Sequence, residues 1–327
     1  MSGGTVQDGA DGRDHGGGID AARARWGGAA EDWLDLSTGI NPVPYPVGDL
    51  PPRAWTALPD RDATDRLLAA ARRAWRVPDG ADVVAAPGTS ALIARLPGMA
   101  PPGRVAIPGP TYNEHAAAFA AHGWTVDTAP TDAPPTDARV LVHPNNPDGR
   151  LWTPGDADAS LTVVDESFCD LRPDASLVGL ATRPGTVILK SFGKFWGLAG
   201  LRLGFAIAAP GTCARMARML GPWPVSGPAL ALGATALEDV AWADATRARL
   251  AREAARLDGL MTPHGALVGG TDLFRLYDVG HGAAVRDRLA AARIWSRVFP
   301  YERRWLRLGL PPADGWDRLA AALGPPA

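Results

Sequence analysis

Of the chain's 33 basic residues only two are lysines, Lys190 and Lys194; the other 31 are arginines. A guanidinium stays protonated and cannot form an imine, whereas an ε-amine can lose its proton and attack a carbonyl. Two lysines within five residues of each other, in a chain that otherwise uses arginine, mark a segment where covalent chemistry is expected. Other residues suited to chemistry fall in short clusters: Gly88-Thr89-Ser90, Thr111-Tyr112, Asn145-Asn146, Asp165, and Ser191 through Lys194. Gly88-Thr89-Ser90 opens a helical stretch after a strand-like run, which offers backbone N–H groups and a positive dipole end to an anion. Asp165 ends the apolar run Val163-Val164, as expected of an acid at the end of a buried strand.

These clusters need elements that bring them together. Short apolar runs read as strands at 82–86, 104–107, 124–128, 139–142, 162–164, 186–189 and 203–208. Helical patterns lie between or near them, at 62–77, 91–96 and 113–122. That alternation predicts an α/β fold, with a mostly parallel sheet flanked by helices. In such sheets ligands collect at the carboxyl ends of the strands, where all five clusters fall. After Gly233 a long Arg- and Ala-rich helical pattern spans 236–260. Strand candidates at 265–268, 272–276 and 305–308, with helices near 283–293 and 316–323, predict a smaller α+β C-terminal domain. The expected division is an N-terminal arm over 1–45, a large domain over 46–232 and a small domain over 233–327. Pro-rich 41–52 reads as extended chain, and 131–137 as a surface loop.

Composition narrows the class. The chain has 327 residues, is 46% hydrophobic and 21% charged, and carries a formal net charge of -2. That length can bury one large core or two ordinary ones. Near-balanced charge gives no electrostatic footprint for nucleic acid. No apolar run approaches the ~18 residues of a membrane span, and the Gly- and Asp-rich start lacks a secretory pattern. Two cysteines, Cys169 and Cys213, are too few for a disulfide framework and lack zinc-ligand spacing, so no metal is expected. A cytoplasmic enzyme is the expected class.

The segment Ser191-Phe192-Gly193-Lys194-Phe195-Trp196-Gly197-Leu198-Ala199-Gly200-Leu201-Arg202-Leu203-Gly204 resembles the pyridoxal-phosphate attachment signature of the class I/II aminotransferases. These are fold-type I enzymes. The resemblance implies that Lys194 is the catalytic lysine, attached covalently to pyridoxal 5'-phosphate. Ser191 and Arg202 would hold the cofactor phosphate, a role suited to the bidentate guanidinium fork. An analogous turn in the family binds the same phosphate, which assigns Gly88, Thr89 and Ser90. His143 to Gly149 resembles the Asn-Pro-x-Gly motif, so Asn146 would bond the ring's 3-oxygen and reach the substrate. Asp165 would pair with the pyridinium nitrogen and keep the ring an electron sink. Tyr112 would stack on the ring, while Lys190 reads as structural and Glu166 as an ordinary sheet-end carboxylate.

Two positions depart from the family pattern. Phe168 stands where many relatives have a tyrosine that shares the ring oxygen with the asparagine. Leu58 precedes Pro59-Asp60 where many have a tyrosine reaching the partner subunit's cofactor phosphate. Within the family, His15-Gly16-Gly17, Leu36 through Pro42, and Pro222 through Ser226 resemble the threonine-phosphate decarboxylases of cobalamin biosynthesis. That resemblance implies conversion of L-threonine O-3-phosphate to (R)-1-aminopropan-2-yl phosphate and CO2, in a homodimer. It assigns His15 and Arg297 to the substrate phosphate, Arg307 to the carboxylate, and Asn41 to the substrate site. The alternatives are a histidinol-phosphate aminotransferase, which needs a 2-oxo acid, and a non-catalytic pyridoxal-phosphate-binding regulator.

Overall fold

The computed structural model describes residues 15–129 and 136–325. In chain order its first strands are β1 (Leu34–Asp35), β2 (Asp82–Ala86), β3 (Arg104–Ala106), β4 (Thr125–Asp127) and β5 (Ala138–Val142). Next come β6 (Leu161–Asp165), β7 (Thr186–Ser191) and β8 (Gly204–Ala208). The last are β9 (Ala266–Thr271), β10 (Phe274–Asp278), β11 (Ile294–Trp295), β12 (Arg297–Phe299) and β13 (Glu302–Gly309). The chain divides into two compact units, one of residues 44–248 and one joining residues up to Val43 with Arg249 onward.

The unit 44–248 is built on a seven-stranded sheet in the order β2-β8-β7-β6-β5-β3-β4. Pairings are parallel from β7 through β6, β5 and β3 to β4, and β8 runs antiparallel to both β7 and β2. Every residue of β5, β6 and β8 is buried. Such continuous burial is expected where layers cover both sheet faces, and it explains unbroken apolar runs such as Val163-Val164. All seven strands fall where the apolar runs predict them. The helix 61–74 opens on Asp60, whose side chain accepts from the Ala63 N–H at 2.9 Å. It thereby satisfies one of the free donors of the first turn.

The single helix expected over 236–260 is in fact two, Gly227–Glu238 and Val240–Met261. The break is Asp239. It leaves helical geometry at ψ 75, and its Oδ1 accepts from the Trp242 N–H at 2.9 Å, capping the second helix. An interior acid in an Ala-rich pattern does not reveal this by periodicity.

In the other unit, β12-β13-β10-β9 form an antiparallel sheet. Leu306 and Leu308 are fully buried, and Arg307 between them pairs in register with Leu276 and Arg297. The expected strand at 272–276 begins at Phe274 because Asp272 and Leu273 form the preceding turn. β1 and β11 make a two-residue parallel pair, too short for a periodic signal. The helix Ile19–Trp26 contributes Ala22 and Trp26 to a cluster with Trp33, Ala290 and Trp295.

Candidate active site

The carboxyl ends of β2, β3, β5, β6 and β7 lead into one cavity of about 130 Å³. All nine residues assigned by sequence to the cofactor line it: Gly88, Thr89, Ser90, Tyr112, Asn146, Asp165, Ser191, Lys194 and Arg202. Ser167 and Phe168 line it as well.

Lys194 sits in a turn clamped by its aromatic neighbours. Phe192 and Phe195 are fully buried, and Phe192 stacks on Trp196 with centroids 5.0 Å apart. Trp196 stacks in turn on Trp242, and its Nε1–H donates to the buried Asp170 carboxylate at 3.1 Å. Asp170 also accepts from Trp75 Nε1 at 2.8 Å. The apolar positions of the motif are thus core, and they hold the turn so that Lys194 lines the cavity.

At one end of the cavity the groups are hydroxyls and a guanidinium. Gly88 has φ +84, and a Cβ there would lie 2.6 Å from Arg202 Nη2. Only glycine lets the turn approach the guanidinium this closely. Gly204, at the start of β8, has the same role from the other side: its Cβ would meet Thr89 N at 2.4 Å. Thr89 Oγ1 donates to the Lys190 carbonyl at 3.1 Å, tying the turn to β7. Thr89, Ser90, Ser191 and Arg202 make a donor-rich end that suits a phosphate.

The opposite character comes from Asp165, which is only 3% exposed. Its Oδ2 is 2.8 Å from the buried His115 Nε2. Its Oδ1 accepts from the Ser167 N–H at 3.0 Å and the Ser167 hydroxyl at 2.5 Å. Burial pushes the carboxyl up, but the His115 and Ser167 donors outweigh it and hold it below the ordinary carboxylate range. Asp165 is therefore an ionised acceptor suited to a protonated ring nitrogen. A donor-rich end, an ionised acceptor and an amine in one cavity fit the phosphate, the pyridinium and the carbonyl carbon of pyridoxal phosphate.

Sequence reasoning missed His115 and gave Asn145 no role of its own. His115 stands in the first turn of the helix that Tyr112 precedes, three residues on, with the two ring centres 6.1 Å apart, and this spacing was the available signal. Asn145 is fully buried. It accepts from Thr111 Oγ1 at 2.6 Å and donates to the Pro110 carbonyl at 3.0 Å and to Asp148 Oδ1 at 2.7 Å. It fastens the loop carrying Tyr112 to the loop carrying Asn146. Nothing in the Asn-Asn pair announces which member turns inward.

Glu166 corrects its sequence reading. It is buried rather than an ordinary sheet-end acid, and it lies 2.5 Å from Lys190 Nζ. Burial alone would lower the Lys190 ammonium's pKa, but the Glu166 carboxylate outweighs it and raises it. Ser176 Oγ and the Leu177 N–H donate to the same carboxylate. Glu166, His143 and Cys169 approach within 4.8 Å of one another. Both His143 ring nitrogens are engaged, with the Trp152 N–H and the Ala175 carbonyl, so the cluster is a polar core.

The residues assigned to substrate, His15, Asn41, Arg297 and Arg307, lie in the other unit, while Asn146 lines the cavity. Asn41 is buried and its Oδ1 accepts from Arg249 Nη2 at 2.7 Å and from the Val43 N–H at 3.0 Å. Arg307 is buried, stacks its guanidinium 5.0 Å from the Phe274 ring centre, and donates to the Ser37 carbonyl. His15 is exposed.

A family model, aminotransferase class I and II, matches residues 32–322. The chain belongs to the class I and II aminotransferase family. Among its relatives, a threonine-phosphate decarboxylase from Sinorhizobium sp is 44% identical, over 94% of this chain and 97% of that one. Another from Pseudomonas aeruginosa is 39% identical, over 95% and 97%. Among solved structures, a Sinorhizobium meliloti histidinol-phosphate aminotransferase in complex with pyridoxal-5'-phosphate superposes with a TM-score of 0.80. That match covers 94% of this chain and 93% of the other at 21% identity, a likeness of fold alone. Among the described residues no helix of this aminotransferase-family chain is long and apolar enough to cross a membrane.

Proposed function

We propose that the protein is a pyridoxal-phosphate-dependent lyase that decarboxylates L-threonine O-3-phosphate to (R)-1-aminopropan-2-yl phosphate and CO2 for cobalamin biosynthesis. The observation that carries the cofactor reading is the single cavity lined by Lys194, Asp165 and the donor set of Ser90, Ser191 and Arg202. Kinship supports the choice of reaction: the two decarboxylases align along nearly the whole chain.

When bound, pyridoxal phosphate supplies an electron sink for the bond that breaks at Cα. Lys194 holds the cofactor through its amine, Asp165 keeps a proton on the ring nitrogen, and Asn146 donates to the ring's 3-oxygen. Phe168 supplies no hydroxyl there. Tyr112 covers the ring face, and Gly88, Thr89, Ser90, Ser191 and Arg202 hold the phosphate. His15 and Arg297 take the substrate phosphate, Arg307 orients the carboxylate, and Asn41 and Asn146 complete the substrate contacts. The substrate amine would take the place of the Lys194 amine and free it; once the Cα–carboxylate bond breaks and CO2 leaves, the freed Lys194 or water would return a proton to Cα.

Purified protein given pyridoxal phosphate and L-threonine O-3-phosphate, without any 2-oxo acid, is expected to release CO2 catalytically and to form no pyridoxamine phosphate. Turnover of histidinol phosphate with 2-oxoglutarate, and no CO2, would move the function to the aminotransferase.

The reading extends to a cytoplasmic homodimer. Trp55, Leu58 and Trp223 are 69%, 66% and 58% exposed, large apolar side chains of the kind that mark protein interfaces. Residues 54 and 227 are adjacent in the fold, since a Cβ on Gly227 would meet the Ala54 carbonyl at 2.2 Å. Sedimentation at twice the chain mass of 34.2 kDa is expected; a species at the single-chain mass would refute the dimer.

A further inference from the structure

Ser37 is buried, and each of its polar atoms is used. Its N–H and its hydroxyl both donate to Asp35 Oδ1, at 2.8 and 2.6 Å. With its proton so committed, Ser37 Oγ accepts from the Gly17 N–H at 2.7 Å. The Ser37 carbonyl accepts from Arg307 Nη2 at 2.5 Å. The same arm residue is held a second time, because Trp295 Nε1–H donates to the Gly17 carbonyl at 2.7 Å.

The frame around this latch is tied at several points. Asp35 pairs in register with Trp295 across β1 and β11, and the Leu36 N–H donates to the Trp295 carbonyl at 2.7 Å. The Trp295 ring lies 5.6 Å from Trp26 and 6.3 Å from Trp33. The arm crosses Ser37 so closely that a Cβ on Gly16 would stand 2.6 Å from the Ser37 carbonyl oxygen. One residue thus binds the arm with its hydroxyl and Arg307 with its carbonyl, and His15 is two positions before Gly17.

We propose that Ser37 is a positioning residue that sets the span between His15 and Arg307, and with it the length of amino-acid phosphate accepted. The proposal rests on the substrate reading above, in which those two residues take opposite ends of one molecule. L-Threonine O-3-phosphate has a short path of bonds between its carboxylate and phosphate, and in L-homoserine O-phosphate that path is one methylene longer. A latch of fixed length favours the first. Loosening the arm costs most for the substrate that the latch was set to fit.

Two variants each remove one of these bonds to the arm and leave the Ser37 carbonyl for Arg307. Ser37→Ala removes the acceptor for the Gly17 N–H, and Trp295→Phe removes the donor to its carbonyl while keeping a ring. For L-threonine O-3-phosphate each should raise KM about tenfold, the scale of one lost neutral hydrogen bond, with a smaller effect on kcat. KM for L-homoserine O-phosphate should change less than threefold, so the preference narrows. Hydrogen exchange at the Gly16 and Gly17 amides should quicken in both variants. Should Ser37→Ala fail to fold, Trp295→Phe carries the same test.

An unchanged KM and preference despite faster exchange would reduce Ser37 to a structural role and overturn the proposal. Unchanged exchange in both variants would overturn it too, since the arm would then be held elsewhere. Wild-type protein inactive on threonine phosphate would defeat the functional reading instead. The same KM comparison is then made with whichever amino-acid phosphate the wild type turns over, beside the next longer homologue.

Discussion

Lys194→Ala is expected to abolish CO2 release from L-threonine O-3-phosphate, a loss on the order of 10³-fold or more, because covalent catalysis loses its amine. The fold should survive, since the turn is held by the buried Phe192, Phe195 and Trp196 rather than by the lysine. Phosphate binding should survive in part, because Ser191, Arg202 and the Gly88–Ser90 turn stay in place. Lys194→Arg separates covalent chemistry from charge. It keeps the cation and cannot form an imine, so it should be as inactive as the alanine variant. If the arginine variant kept a tenth or more of wild-type turnover, Lys194 would be acting only as a positive charge and the covalent assignment would be wrong. Absorbance of protein incubated with pyridoxal phosphate, followed together with CO2 release, reads both effects.

Asp165→Asn should cost on the order of 10²- to 10³-fold in kcat, the range of a single group that stabilises developing charge. An amide cannot hold a proton on the ring nitrogen as a carboxylate can, and the phosphate end of the cavity is untouched, so cofactor affinity should fall far less than turnover. The pH dependence follows from the same environment. The folded carboxyl is held below its ordinary value by His115 and Ser167 in spite of burial. Its ionised form therefore contributes stability above the unfolded pKa of about 4, and that contribution is lost as pH falls through the lower folded value. Wild-type activity should accordingly show no acid limb from Asp165 between neutrality and about pH 4. His115→Phe removes the principal donor and should bring such a limb into view. Turnover of Asp165→Asn within threefold of wild type would remove the ring-nitrogen role.

Much of the cavity's lining was legible in the chain because it is local, while the roles expected of those residues came from the family resemblance. Each member lies at the end of a strand or in the segment that follows it, and a parallel sheet delivers the ends of its strands to one edge whatever lies between them. The rarity of lysine made Lys194 stand out, and unbroken apolar runs such as Val163-Val164 announced strands covered on both faces. The break at Asp239 was not legible, since a capping acid and an exposed helical acid look alike in sequence. The same holds for Glu166: only packing against Lys190, Ser176 and Leu177 makes it a buried ion-pair partner rather than a surface carboxylate. His115 and Asn145 act on Asp165 and Thr111, residues 50 and 34 positions away. No local spacing encodes such pairs. By itself, then, the sequence determined the sheet, the lysine and the residues at the strand ends, because hydrophobic period and backbone punctuation are properties of neighbouring residues. Tertiary structure alone decided which polar groups became partners, including the joining of Gly17, Ser37, Trp295 and Arg307. A hydrogen bond across hundreds of residues exists only once the packed core has excluded water from both ends.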